Sequence, residues 1–168
     1  MRKALSILIV GVLPAVSFAA GVQGMEAHPA TMSDHEMPAM HEAHASMAGK
    51  PGDPAKVDRT IDVTMDDSMR FSPDKVSVKA GETIRFFVRN GGRIQHEMVI
   101  GSMDELKEHA EMMKKMPGMQ HAEANMVALK PGQRGGIVWQ FDKVGTVDFA
   151  CLVPGHMEAG MVGQVRVE

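Results

Sequence analysis

The chain has 168 residues, which is room for one domain of ordinary size. Its formal net charge is −3, from 18 basic and 21 acidic side chains. A mildly acidic chain of this kind gives no electrostatic basis for binding nucleic acid. Its single cysteine, Cys151, excludes an internal disulfide.

The first 19 residues have the pattern of a secretory signal peptide. Two basic residues precede an apolar run from Ala4 to about Phe18, and Ser17-Phe18-Ala19 suits cleavage after Ala19. A membrane anchor is the alternative, but the run is shorter than the roughly 20 apolar residues that span a bilayer. We therefore predict a signal peptide over residues 1–19, export to the periplasm, and no membrane association after cleavage.

Residues 20–58 are predicted to form a disordered arm and linker. They lack hydrophobic periodicity, and Lys50-Pro-Gly-Asp-Pro54 is typical of a linker. Methionine and histidine recur through the arm, and their thioether and imidazole groups suit Cu(I) and Cu(II). The arm is therefore a candidate accessory copper site; the alternative is a soluble tail whose methionines bind nothing. The candidate donors are Met25, His28, Met32, His35, Met37, Met40, His41, His44 and Met47.

From Arg59 onwards, short segments of alternating apolar and polar residues are separated by turn residues, a pattern that predicts β-strands. About eight such strands indicate an all-β sandwich over residues 59–168. The predicted strands cover residues 60–65, 75–79, 82–89, 95–100, 126–130, 136–141, 146–151 and 162–167.

One helical segment interrupts the strands, within an insertion over residues 102–125. Residues 103–116 are helix formers throughout, and Pro117-Gly118 ends the segment. One face, with Leu106, Ala110 and Met113, is predicted to pack against the sandwich. Further candidate accessory copper donors in the insertion are His109, Met112, Met116, Met119 and His121.

The segment from Cys151 to Met161 places a thiolate, an imidazole and a thioether within eleven residues. A blue-copper centre uses two histidines and a cysteine, with a weak axial methionine. His96, in a predicted strand, is the candidate for the second imidazole. Each residue alone has a plainer explanation, as a core histidine, a gap-filling methionine or a buried cysteine. All four donor types together favour copper.

The run from Asp148 to Val165, with its Cys-x4-His-x4-Met spacing, is similar to the copper-binding loop of rusticyanin-type cupredoxins. With Gln95–Ile100 and the Met/His-rich insertion and arm, the chain resembles the periplasmic copper-tolerance cupredoxins called CopI. The resemblance covers roughly residues 59–168, and the arm only in composition. It implies a Greek-key cupredoxin β-sandwich with copper ligands His96, Cys151, His156 and Met161.

Two positions depart from the pattern of these proteins. Many cupredoxins follow the first histidine with Asn or Ser, which helps to hold the loops together, whereas this chain has Glu97. Met157 is a second thioether beside His156. We expect Met161 to be the axial ligand, because its position before the last strand matches the family, and Met157 to lie on the surface near the exposed edge of His156.

The resemblance implies a periplasmic type 1 copper protein that contributes to copper tolerance, with electron transfer as part of its mechanism. The alternative is a general respiratory electron carrier, which would dock a redox partner protein near His156 and the apolar Leu152-Val153-Pro154 edge. A multicopper enzyme fits poorly, because the chain has one cysteine and no His-x-His pair. We expect a protein that is not an enzyme, with a slow cuprous oxidase activity as the open alternative.

Overall fold

The computed structural model describes residues 48–115 and 122–168. Within these two ranges the chain forms ten β-strands and one α-helix. In chain order they are β1 (Lys50–Pro51), β2 (Arg59–Asp66), β3 (Arg70–Ser72), β4 (Lys75–Val78), β5 (Thr83–Asn90), β6 (His96–Gly101), α1 (Met103–Lys115), β7 (Met126–Leu129), β8 (Arg134–Gln140), β9 (Gly145–Ala150) and β10 (Val162–Val167).

The strands form two five-stranded sheets around a shared apolar core. One sheet has the order β1-β8-β5-β2-β3, and the other has the order β4-β10-β9-β6-β7. The sequence of β5 shows how one face of a strand is directed into the core. Buried Phe86 and Val88 alternate with exposed Phe87 and Arg89 along the strand. The rings of Phe71 and Phe149 meet edge to face across the two sheets at 5.0 Å. The predicted all-β sandwich with one helix is confirmed.

Strands β6 and β9 bring two of the predicted copper ligands to the same end of one sheet. The two strands are antiparallel neighbours, with Val99 opposite Ala150. His96 is the first residue of β6, and Cys151 directly follows the last residue of β9. In an antiparallel pair, the start of one strand lies beside the end of the other. The pairing of β6 with β9 therefore places His96 and Cys151 close together.

Two short strands differ from the sequence prediction. Lys50 and Pro51, predicted to lie in a linker, form β1 at the edge of the first sheet, where Pro51 pairs with Trp139. The indole Nε1 of Trp139 donates to the buried carbonyl of Ala48 at 2.7 Å. Strand β3 lies between the predicted strands 60–65 and 75–79, where no strand is predicted, and pairs with β2. Strands of two or three residues show no alternation in the sequence, because the partner strand determines them.

Helix α1 begins where the sequence predicts it and packs on the second sheet. Ser102 and Glu105 form a reciprocal capping box, in which the Ser102 N–H donates to the Glu105 carboxylate at 2.7 Å. Leu106 and Ala110 are buried against Val99, Ala150 and Leu152. In the described ranges, no helix has the length and apolar character needed to cross a bilayer.

Candidate metal centre

Three side chains with metal-binding atoms converge at the end of the sandwich where β6 begins and β9 ends. One potential ligand atom from each of His96, Cys151 and His156 lies within 4.8 Å of the others, and all three residues are buried. The Sγ of Cys151 is 3.3 Å from Nδ1 of His156. The two imidazole rings are 4.9 Å apart between centroids. The structure thus brings together three of the four residues predicted to bind copper.

The ring of His96 is oriented by a hydrogen bond at Nε2, the nitrogen on the opposite side of the ring from Nδ1. Its Nε2 lies 3.1 Å from the carboxylate of Asp67. Because an ionised carboxylate can only accept, this contact calls for a proton on Nε2, and the other ring nitrogen, Nδ1, is the one that faces Cys151 and His156 as a potential ligand atom. That Nδ1 is buried, and within the described ranges it is the one buried side-chain nitrogen or oxygen without a hydrogen-bond partner. Since buried polar atoms are normally satisfied, this nitrogen fits a metal ligand.

Cys151 is fully buried and its sulfur is held by the neighbouring strand. The backbone N–H of Glu97 donates to Sγ at 3.4 Å. Burial raises the pKa of the Cys151 thiol to about 12, although backbone hydrogen bonds from Glu97 and Val153 act in the opposite direction. In the absence of metal, the residue is therefore a neutral thiol at neutral pH. A bound cation would replace the missing stabilisation of the thiolate.

The loop between β9 and β10 is fixed by its own backbone. The N–H of His156 donates to the carbonyl of Val153, the N–H of Met161 donates to that of His156, and the N–H of Cys151 donates to that of Met161. Gly155, at φ +89°, supplies the left-handed turn before His156. Burial, and then the neighbouring His96, lower the pKa of His156, which favours the neutral imidazole that binds metals.

The two methionines of this loop lie in different environments. Met161 is fully buried in the same apolar cluster as Cys151. Met157 is half-buried against the separate cluster that includes Leu106 of α1. We expected Met157 on the surface beside His156; instead it packs in the helix–sheet interface, because α1 covers that side of the loop. Of the two thioethers, Met161 is the one that shares an apolar cluster with Cys151.

Glu97 performs the bridging role expected of Asn or Ser at this position. Its side chain is buried, and Oε1 accepts a hydrogen bond from the backbone N–H of Leu152 at 3.1 Å. Its own N–H is the one that donates to Cys151 Sγ. Glu97 therefore ties the start of β6 to Cys151 through its backbone and to Leu152 through its carboxylate.

Of the candidate accessory donors, the structure describes two, both on α1. His109 is half-buried and lines a small pocket with Glu105 and Glu123. Met112 is 39% exposed. In the described ranges, no second group of three His, Cys, Asp or Glu side chains has the spacing of a metal site. The other candidates lie outside the described residues: Met25, His28, Met32, His35, Met37, Met40, His41, His44, Met47, Met116, Met119 and His121.

Residues 57–168 match the family model for copper-binding proteins of the plastocyanin/azurin family. The chain belongs to this family. Among its relatives, the copper-resistant cuproprotein CopI of Rubrivivax gelatinosus is 54% identical over 129 residues, covering 74% of this chain and 78% of the relative. The protein of the same name from Pseudomonas aeruginosa is 34% identical, covering 75% and 85% of the two chains.

A similar solved structure supports the fold. Dithionite-reduced auracyanin from Roseiflexus castenholzii superposes with a TM-score of 0.57 at 24% identity, covering 67% of this chain and 98% of that one. Copper is the metal of this cupredoxin family. The donor set here fits it, because two imidazoles and a thiolate with a thioether nearby are the ligands of a blue-copper centre.

Proposed function

We propose that the protein is a periplasmic type 1 copper protein that binds copper through His96, Cys151, His156 and Met161 and contributes to copper tolerance. The observation that carries this proposal is the buried, unpartnered Nδ1 of His96 beside Cys151 and His156. The relatives named copper-resistant cuproprotein CopI support the tolerance role. Residues 1–19 would direct export to the periplasm.

The protein's part in this chemistry is to hold four donors in one geometry. Bound copper would supply a one-electron couple between Cu(I) and Cu(II). Asp67 fixes the ring of His96, Glu97 fixes the position of Cys151, and the loop hydrogen bonds fix His156. A site that changes little between oxidation states needs little reorganisation for electron transfer. Electron transfer is therefore part of the proposed mechanism, and enzymatic turnover is not.

A general electron carrier is the second candidate, with a redox partner docking near His156. His156 is 8% exposed whereas His96 is fully buried, so His156 is the less deeply buried of the two imidazoles. The apolar edge predicted beside it is smaller than expected, because Leu152 is buried in the interface with α1. Val153 is half-buried and Pro154 is exposed. Both candidate functions keep the same copper site, and the Met/His-rich segments distinguish them.

The arm, whose candidate donors all lie before residue 48, and the insertion over residues 102–125 would bind additional copper in the tolerance role. A carrier needs no such residues, and methionine is sensitive to oxidation. We therefore propose that the β-sandwich, including β1, forms the redox domain and that the Met/His-rich arm enlarges its copper capacity.

A complementation assay in copper-stressed cells that lack the protein tests this function. Cells would receive the wild-type chain, Cys151→Ala, or a chain without residues 21–47 that keeps the signal peptide. Copper tolerance predicts that wild type restores growth, that Cys151→Ala restores little, and that the deletion restores part. Full protection by Cys151→Ala, or none by the wild type, would contradict the proposal. If the chain without residues 21–47 protected as well as the wild type, the arm would have no role in copper tolerance.

A further inference from the structure

The turn between β2 and β3 contacts the metal centre from a part of the chain far from the ligand loops. Asp67, in this turn, lies 29 positions before His96 in the sequence. Its Oδ1 accepts from Nε2 of His96 at 3.1 Å, and its Oδ2 accepts from the backbone N–H of Arg93 at 2.8 Å. One carboxylate therefore holds both the histidine ring and the loop that precedes it.

The loop is shaped to admit this carboxylate. A Cβ added at Gly92 would overlap the side chain of Asp67. The neighbouring loop carbonyl, that of Ile94, accepts from the buried side chain of Asn90 at 2.8 Å, and the N–H of Gly92 donates to the same side chain at 2.9 Å. The absence of a side chain at residue 92 thus lets the loop close over Asp67. This close fit distinguishes Asp67 from an exposed carboxylate that meets a histidine by chance.

Asp67 also places a negative charge one imidazole ring away from the metal-binding nitrogen. An aspartate carboxyl is ordinarily ionised at neutral pH, and this one accepts hydrogen bonds from the N–H of Arg93 and from Nε2 of His96. Its side chain is 38% exposed, so water screens part of the charge. An anion at this position favours the more positive oxidation state of a bound metal.

We propose that Asp67 is a positioning residue for the copper centre, which selects the Nε2–H tautomer of His96 and stabilises Cu(II) over Cu(I). This inference rests on the proposed copper site, in which His96 binds through Nδ1. The residue acts through His96 and does not touch the metal. Its contribution has two separable parts, because an acceptor atom selects the tautomer while the charge sets the relative affinity for the two oxidation states.

Three variants of the mature chain separate the two parts. Asp67→Asn keeps an oxygen acceptor and removes the charge, whereas Asp67→Ala removes both. Asp66→Asn is the matched control: Asp66 is the adjacent carboxylate at the end of β2, and its side chain accepts from the N–H of Ser68, whereas the carboxylate that contacts His96 is that of Asp67. This control therefore removes one charge beside the turn without changing the partner of His96.

The first measurement uses metal-free protein and reports the tautomer through nitrogen–proton correlation NMR of the histidine rings, with His96 assigned by its substitution. The wild type and Asp67→Asn should carry the proton on Nε2, and Asp67→Ala should populate the second tautomer. A proton on Nδ1 in the wild type would overturn the proposal, as would an unchanged tautomer in Asp67→Ala. This readout does not depend on copper, so it stands even if the proposed copper function fails.

The second measurement compares copper affinity and reduction potential after copper loading. Asp67→Ala should lose about 10- to 100-fold in Cu(II) affinity, the usual effect of removing the partner of a ligand histidine. Asp67→Asn should shift the ratio of Cu(II) to Cu(I) affinity toward Cu(I) by up to about tenfold, which raises the potential by about 59 mV. Asp66→Asn should show a clearly smaller shift. Equal shifts in Asp67→Asn and Asp66→Asn, or wild-type affinity in Asp67→Ala, would overturn the proposal.

Discussion

Two carboxylates beside the metal centre show what single residues contribute here. Asp67 orients His96, and Glu97 holds the backbone after Cys151. The sequence indicates the ligands because their donor types and spacing are distinctive. It does not indicate these two supports: Asp67 reads as a turn residue, and Glu97 as a departure from Asn or Ser. Their roles depend on contacts made across 29 and 55 positions of the chain.

Removing the side chain of Glu97 should destabilise the protein more than changing it to an amide. Glu97→Ala leaves the N–H of Leu152 buried without its acceptor, which costs about 1–3 kcal/mol. Glu97→Gln keeps an oxygen at the same position and should lose less. Denaturant unfolding of the metal-free proteins measures both. Equal stability of Glu97→Ala and wild type would show that the carboxylate does not support the loop.

At the scale of elements, helix α1 acts as a cover for the ligand loop. Leu106 and Ala110 pack on Ala150 and Leu152, which flank Cys151, and Lys114 pairs with Glu158 of the loop at 2.8 Å. The sequence predicts the start of the helix and its apolar face, because both are local patterns. It does not predict the position of Met157 under the helix, since that depends on where the insertion lies against the sheet.

The buried face of α1 should contribute much more to the free energy of unfolding than its exposed face. Leu106→Ala would leave a cavity in a fully buried cluster and should cost about 2–5 kcal/mol of unfolding free energy. Met112→Ala, on the exposed side of the same helix, is the control and should change stability by less than about 0.5 kcal/mol. Thermal and denaturant unfolding measure both. A loss for Leu106→Ala as small as the control would mean that α1 does not pack firmly on the sheet.

At the scale of the whole molecule, separate strands of the sandwich are connected by polar side chains. One such connection is made by Glu82, between β4 and β5. Glu82 accepts from Arg59 of β2 at 2.7 Å and from the N–H of Lys79 at 2.8 Å. The hydrogen bond from Arg59 is the main reason that the pKa of Glu82 lies below its ordinary value of 4.5. The sandwich itself is predictable, because eight of its strands are short β-forming segments bounded by turn residues, whereas β1 and β3 are too short to show a pattern.

The lowered pKa of Glu82 gives a direction for the pH dependence of stability. The folded state binds a proton at this carboxylate less readily than the unfolded state, so its contribution is present above about pH 4.5 and declines as pH falls further. Glu82→Gln should therefore show a weaker fall of unfolding free energy in acid than the wild type. Glu108→Gln, on the exposed surface of α1, is the charge-matched control. An acid dependence equal to that of wild type in Glu82→Gln would contradict this account.

If His96, Cys151, His156 and Met161 hold copper in a type 1 site, a Cu(II) titration should reveal the bond between copper and the Cys151 thiolate. Freshly reduced mature protein, beginning at Ala20, would be titrated under visible absorption beside Cys151→Ala and His109→Ala. We predict an intense thiolate-to-copper band that saturates at about one equivalent, that persists in His109→Ala and that is absent in Cys151→Ala. Absence of the band in the wild type, or its presence in Cys151→Ala, would show that Cys151 is not a Cu(II) ligand and would contradict the account.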